Sequence, residues 1–140
     1  MIGLQLIATL LLAGATPANA APFYVVVNEA NSISSLSYDE LSDFFLKKSS
    51  RWNDGGLVEP VDQRESTPVR EIFTRNVHRK SAAAVRAFWQ LRIFSGRDIP
   101  PPEKTSDAEV IAYVRNNPNA IGYVSAAVSM AGVKVVAVHP

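Results

Sequence analysis

Between Gln63 and Arg70 the chain reads Gln63-Arg64-Glu65-Ser66-Thr67-Pro68-Val69-Arg70, which places two guanidinium groups and two hydroxyls around a helix-start signal. Thr67 followed by Pro68 marks that start, because proline is favoured at the first helical position, where its missing N–H costs nothing. The free N–H groups of a first helical turn sit at the positive end of the helix dipole. Beside hydroxyls and guanidinium groups they suit an oxyanion. Arg64, Ser66, Thr67, Val69 through its backbone, and Arg70 are therefore the candidate ligand-binding residues. Each also has a plainer role, since Ser66 or Thr67 can cap the helix with no ligand present. Pro68 also removes one donor from the turn. On these residues alone both readings stay open.

Other chemistries are poorly supplied. The two histidines are His78, in the basic turn His78-Arg79-Lys80, and His139, next to the C-terminal residue; neither has an obvious partner in sequence. The absence of cysteine excludes disulfides, thiolate metal sites, cysteine nucleophiles and a lipid-modified cysteine anchor. No Gly-x-Ser-x-Gly elbow and no phosphate-binding Gly-rich loop occur. The carboxylates show neither the pairing of an acid and a base nor the clustering of a metal cage. Asp39, Glu40, Asp107 and Glu109 are accounted for by helix starts. The expectation is a chain with no catalytic residues, no metal and no cofactor, and so not an enzyme.

The elements that position the 63–70 stretch are legible around it. Phe23 to Asn28 is a β-branched and aromatic run, read as a buried strand in mid-sheet. Ser37-Tyr38-Asp39-Glu40 is a capping box with Leu36 and Leu41 at the staple positions, opening a helix that buries Leu41, Phe44 and Phe45. Arg51 to Gly56 is a loop. Leu57 to Asp62 reads as a short strand that Pro60 pushes toward an edge.

The Thr67 helix follows, with Val69, Ile72, Phe73 and Val77 on one face. Ser81 caps a longer helix whose buried stripe is expected to include Val85, Phe88, Trp89 and Phe94, with Gly96 closing it. Ile99 to Pro102 is a stiff linker. Ser106 opens a last helix that stops before Pro118, and Ala120 to Ser125 and Val133 to Val138 are apolar strands. The fold class is α/β, a single small mixed sheet flanked by helices.

A chain of 140 residues holds one domain, and 47% apolar with 19% charged residues suits a packed core. Met1 to Ala20 carry no Lys, Arg, Asp or Glu. The apolar run Leu4 to Ala15 is too short to span a bilayer, which takes roughly 20 residues. It ends in Pro17 and the small-x-small pattern Ala18-Asn19-Ala20, read as a signal peptide cleaved after Ala20, with 21–140 as the mature domain. The expected location is periplasmic or secreted, with no membrane insertion after cleavage. The 64–97 segment holds eight Arg or Lys against two Glu in a chain of formal net charge +1. So local a surplus argues against a nucleic-acid surface and fits either solvated helix faces or an anion patch.

Leu36-Ser37-Tyr38-Asp39-Glu40-Leu41-Ser42-Asp43-Phe44-Phe45 and Arg51-Trp52-Asn53-Asp54-Gly55 together resemble the phosphate-binding-like substrate proteins of ABC transporters. Val61 to Phe73, Phe88-Trp89, Phe94-Ser95-Gly96-Arg97 and Ala120-Ile121-Gly122-Tyr123-Val124 continue the resemblance in order, over about residues 23 to 138. It implies the second lobe of a type 2 periplasmic binding fold, whose members clamp phosphate between two lobes with a Ser-Gly-Thr-Arg helix start. That stretch corresponds here to Thr67-Pro68-Val69-Arg70. Thr67 keeps a hydroxyl and Arg70 the charge, while Pro68 and Val69 replace the glycine and the threonine. An arginine found four residues earlier in the family is Gln63 here, with Arg64 one place later. The first lobe has no counterpart in this sequence. The resemblance thus implies a phosphate or oxyanion ligand bound weakly or not at all by the isolated lobe, and a protein partner or homodimer mate supplying the other wall. An envelope interaction module that has lost ligand binding is the alternative.

Overall fold

The computed structural model of the chain describes residues 22–125 and 129–140; the expected signal peptide lies outside them. The valine run forms β1 (Tyr24–Asn28), whose residues alternate between two covered faces, as the pleat of a strand requires. β2 (Ser35–Ser37) leads directly into α1 (Tyr38–Phe45), where the Ser37 hydroxyl accepts the Glu40 N–H. Two short strands follow, β3 (Glu59–Pro60) and β4 (Asp62–Gln63), and then α2 (Pro68–Phe73), which runs on as a π-helical turn over Thr74–His78. α3 (Ala82–Phe94), β5 (Glu103–Lys104), α4 (Asp107–Asn116), β6 (Ala120–Val124) and β7 (Val133–His139) complete the chain.

The main sheet has the order β2-β7-β1-β6-β3. β1 lies in its middle, antiparallel to both β6 and β7, while β2 and β3 run parallel to their neighbours, so the sheet is mixed as expected. Beside it β4 and β5 form a separate parallel pair. This pair makes the segment after the prolines a strand rather than only a linker: Asp62 N–H donates to the Pro102 carbonyl, and Arg64 N–H to that of Lys104.

One face of the sheet packs Val25, Val27, Ile121 and Tyr123 against Leu41, Phe44, Phe45, Val69 and Phe73 of α1 and α2. The other packs Val26, Ala120 and Val124 against Val110, Ile111 and Val114 of α4. α3 stands apart, held by a small cluster in which Val85, Trp89 and the partly buried Phe88 meet Leu46. Phe94 corrects the expected buried stripe of α3, for it is 94% exposed. At 100° per residue it points away from Val85 and Trp89, and among the described residues nothing covers it.

Gly122 lets α4 approach the sheet. A Cβ built there would lie 2.6 Å from Val110 Cγ1 and 2.9 Å from Val61 Cγ1. Gly122→Ala is therefore expected to cost about 1–3 kcal/mol by overpacking. Urea unfolding checks this, and an unchanged midpoint would show that α4 can back away without loss.

Candidate functional site

β4, α2 and β6 converge on a buried polar network. Asp62 stands at the end of the short strand where the apolar run stops, and its side chain is only 7% exposed. Its carboxylate Oδ1 lies 3.1 Å from Arg70 Nη1, accepts the Gln63 N–H at 3.0 Å and accepts the hydroxyl of Tyr123. The Arg70 guanidinium, 11% exposed, also donates from Nη1 to the Gln63 carbonyl at 2.6 Å and from Nε to Thr74 Oγ1 at 3.3 Å. Tyr123 is oriented by aromatic packing, since its ring stacks on Phe73 at 3.8 Å and is flanked by Phe45 and Phe23.

Gln63 ties this network to α4. Its Nε2 donates to Asp107 Oδ1 at 2.7 Å and to the Tyr123 carbonyl at 3.0 Å, and Asp107 in turn accepts from the Ser125 N–H and hydroxyl. Burial is the largest influence on the Asp62 carboxyl and pushes it up from its ordinary value, against the pull of Arg70, the Tyr123 hydroxyl and the Gln63 N–H. Burial, and then the Asp62 charge, push the Tyr123 phenol well up, so it stays a donor.

The sequence-derived candidates are placed unequally around this network. Arg70 points inward to Asp62. Thr67 caps α2, accepting the Arg70 N–H at 3.4 Å and donating its hydroxyl to the Arg64 carbonyl at 2.8 Å. Val69 is buried under the sheet. Ser66 is exposed in the turn. The exposed Arg64 lies close enough to Glu109 for its charge to contribute to lowering that carboxyl, after the hydrogen bonds from Thr105. Of the first N–H groups of α2, Pro68 lacks one and Arg70 gives its own to Thr67, which leaves that of Val69. Gln63, next to Arg64, is buried.

From the sequence Asp62 ends the short strand begun at Leu57, and Tyr123 lies within the apolar strand from Ala120 to Ser125, with nothing to join either to Arg70. The signal that would have joined them to Arg70 is a carboxylate closing an apolar strand just before an arginine-bearing helix.

Outside the network, a cavity of about 740 Å³ is lined by Arg70, Arg75, Arg79, Lys80, Glu65 and Glu71, among others. Much of its charge is already matched: Arg75 lies 3.9 Å from Glu71, Arg79 2.5 Å from Asp39, and Glu65 pairs with Arg86. His78, expected to have no partner, is buried with Nδ1 2.8 Å from Ser42 Oγ. Burial, then the charges of Arg70, Lys48 and Lys80, hold it down at about 4. Among the described residues no group of three or more His, Asp or Glu could hold a metal ion, and no helix is long and apolar enough to cross a membrane.

No family model matches this chain, and neither does any curated protein sequence. Solved structures do. An ABC-type phosphate transport receptor from Vibrio cholerae superposes with a TM-score of 0.66 at 17% identity, over 84% of this chain and 46% of the receptor. The fold is one lobe of a type 2 periplasmic binding protein. PstS from Borrelia burgdorferi is similar over 86% of this chain and 47% of its own, with a TM-score of 0.62 at 11% identity. The lobe described here thus spans less than half the length of the solved proteins it matches.

Two predictions follow from the network and from His78. Arg70→Met leaves Asp62 buried without its cation and should cost about 3–5 kcal/mol, whereas Asp62→Asn combined with Arg70→Met should cost clearly less. Denaturant unfolding of the two variants checks the coupling. His78 is depressed on folding, from 6.5 to about 4. Its contribution is complete above pH 6.5 and is lost as pH falls toward 4, by about 3 kcal/mol at most. Asp62, being raised, acts in the opposite sense at the acid end. The difference between wild type and His78→Gln isolates the histidine, and the variant should show the shallower fall in stability between pH 6.5 and 4.

Proposed function

We propose that this chain is an envelope lobe of the type 2 binding-protein fold that acts by docking to another protein body and does not hold free phosphate by itself. The observation that carries this reading is the inward ion pair. Arg70, the one charged residue retained from the phosphate-clamping pattern, already has a buried carboxylate at 3.1 Å. An incoming oxyanion would have to displace Asp62, and the displaced carboxylate would stay buried without its cation, at a cost of several kcal/mol. In water an unburied charge pair at 4 Å gives only about 1 kcal/mol in return.

The helix start supports the same conclusion. Pro68 and Val69 stand where backbone and hydroxyl donors would be needed, and the Thr67 hydroxyl is spent on the Arg64 carbonyl. The solved proteins that share this fold are more than twice the length that the lobe matches. In a two-lobed clamp the rest of the ligand shell would belong to the other body. Export as a mature 21–140 domain belongs to this reading and rests on the uncharged, apolar leader sequence.

An oxyanion receptor is the second reading, and the cavity beside Arg70, with Arg75, Arg79 and Lys80 on its walls, is what favours it. Thermal melting separates the two. A ligand present at 100 times its Kd adds about 2.7 kcal/mol of stability. Inorganic phosphate in the millimolar range should leave the melting temperature where sulfate at matched ionic strength leaves it. A saturable rise with phosphate, absent with sulfate and lost in Lys80→Ala, would establish the receptor reading instead.

A further inference from the structure

α3 sets ten apolar residues beside Arg86, Gln90 and Arg92, yet only one side of it is covered. Val85 and Trp89 face inward with Leu46. The opposite side carries Ala83, Ala84, Ala87, Gln90, Leu91 and Phe94, all exposed, with Leu91 at 71% and Phe94 at 94%. Their spacing of three, four and seven residues puts them on one continuous face. A helix that is hydrophobic all round belongs in a buried setting. Among the described residues nothing covers this half.

Resting on the docking reading above, we infer that this face pairs with the same face of a second copy, the two α3 helices lying antiparallel about a two-fold axis. Charge is the first reason. In a two-fold contact each patch meets itself, so any net charge on it would repel. The face from Ala83 to Phe94 holds no Asp, Glu, Lys or Arg. At its margin Arg86 is already paired with Glu65.

Shape is the second reason. Alanines occupy the N-terminal half of the face and Leu91 and Phe94 the C-terminal half, so each large pair meets the small residues of the other helix only in the antiparallel arrangement. Alanines also permit helix axes to approach to about 8 Å. The same arrangement brings each positive helix end to the negative end of its mate.

Area is the third. Leu91, Phe94 and three exposed alanines offer roughly 400–500 Å² per copy, the size of patch that is functional on monomers. Two copies together offer about 800–1,000 Å², the range of a weak contact just below the standard size of a specific one. A micromolar dimer is the expected result.

Sedimentation of the purified chain at about 100 μM, above that micromolar range, tests the inference. A dimer is expected, with Phe94→Asp monomeric; at dilution below the micromolar range, where the wild type is monomeric too, the two should melt alike because the side chain touches little in the monomer. The chain has no cysteine, so Ala87→Cys adds a single thiol near the middle of the face. A short bismaleimide should join two Ala87→Cys chains and leave Ser49→Cys chains, altered in an exposed loop, as monomers. A monomeric wild type would overturn the inference while leaving the docking reading to the phosphate test. A dimer that survives Phe94→Asp and does not cross-link through residue 87 would overturn it as well.

Discussion

The contact between Asp62 and Arg70 organises this lobe. Around it meet the end of β4, the first turns of α2, the Tyr123 hydroxyl from β6 and, through Gln63, the start of α4. A buried pair of this kind stabilises little relative to apolar packing, because desolvation offsets the attraction. Its effect is on register. The donors and acceptors of the network are matched to one another, so sliding β4 or rotating α2 would strand a charge in the interior. The aromatic cluster of Phe23, Phe45, Phe73 and Tyr123 closes over the same point from the sheet side.

That constraint links fold to function. The strand-to-helix corner is where this chain carries Arg70 and the start of α2. Here both are used within the chain: the guanidinium on Asp62 and Gln63, the threonine hydroxyl on Arg64. Beyond it Arg75, Arg79 and Arg86 pair with Glu71, Asp39 and Glu65, so part of the local surplus of positive charge is spent on paired helix faces. Of the ion pairs among the described residues, the one between Asp62 and Arg70 is buried, while on α3 Leu91, Ile93 and Phe94 stand exposed.

Much of this was legible in the amino-acid order. Local signals carried it: the β-branched run of β1, Ser37, Thr67, Ser81 and Ser106 as caps, Gly122 as a close approach, and Pro118 as a stop. These depend on neighbours in sequence, and the hydrogen bonds from Glu40, Arg70, Ala84 and Glu109 realise each cap. Pairings of distant segments were not legible. β5 follows three prolines and finds β4 only in three dimensions. Ser35 to Ser37 serves as a strand on β7 as well as a helix entry. His78 meets Ser42 across 36 positions, and Tyr123 meets Asp62 across 61. Phe94 misled for a different reason: nine residues from Val85 it lies on the opposite side of α3, so its aromatic character suggested core where the helical period did not. The candidate anion residues were found as a segment, but a segment does not reveal that its arginine turns toward a carboxylate on the preceding strand.

The most direct test of this account watches the guanidinium of Arg70. In a chain labelled with nitrogen-15, the Arg70 Nε resonance should be protected from exchange and should keep its position as inorganic phosphate is added. A saturable displacement of that resonance by phosphate, with loss of protection, would mean that the arginine leaves Asp62 for an external anion and would contradict the account.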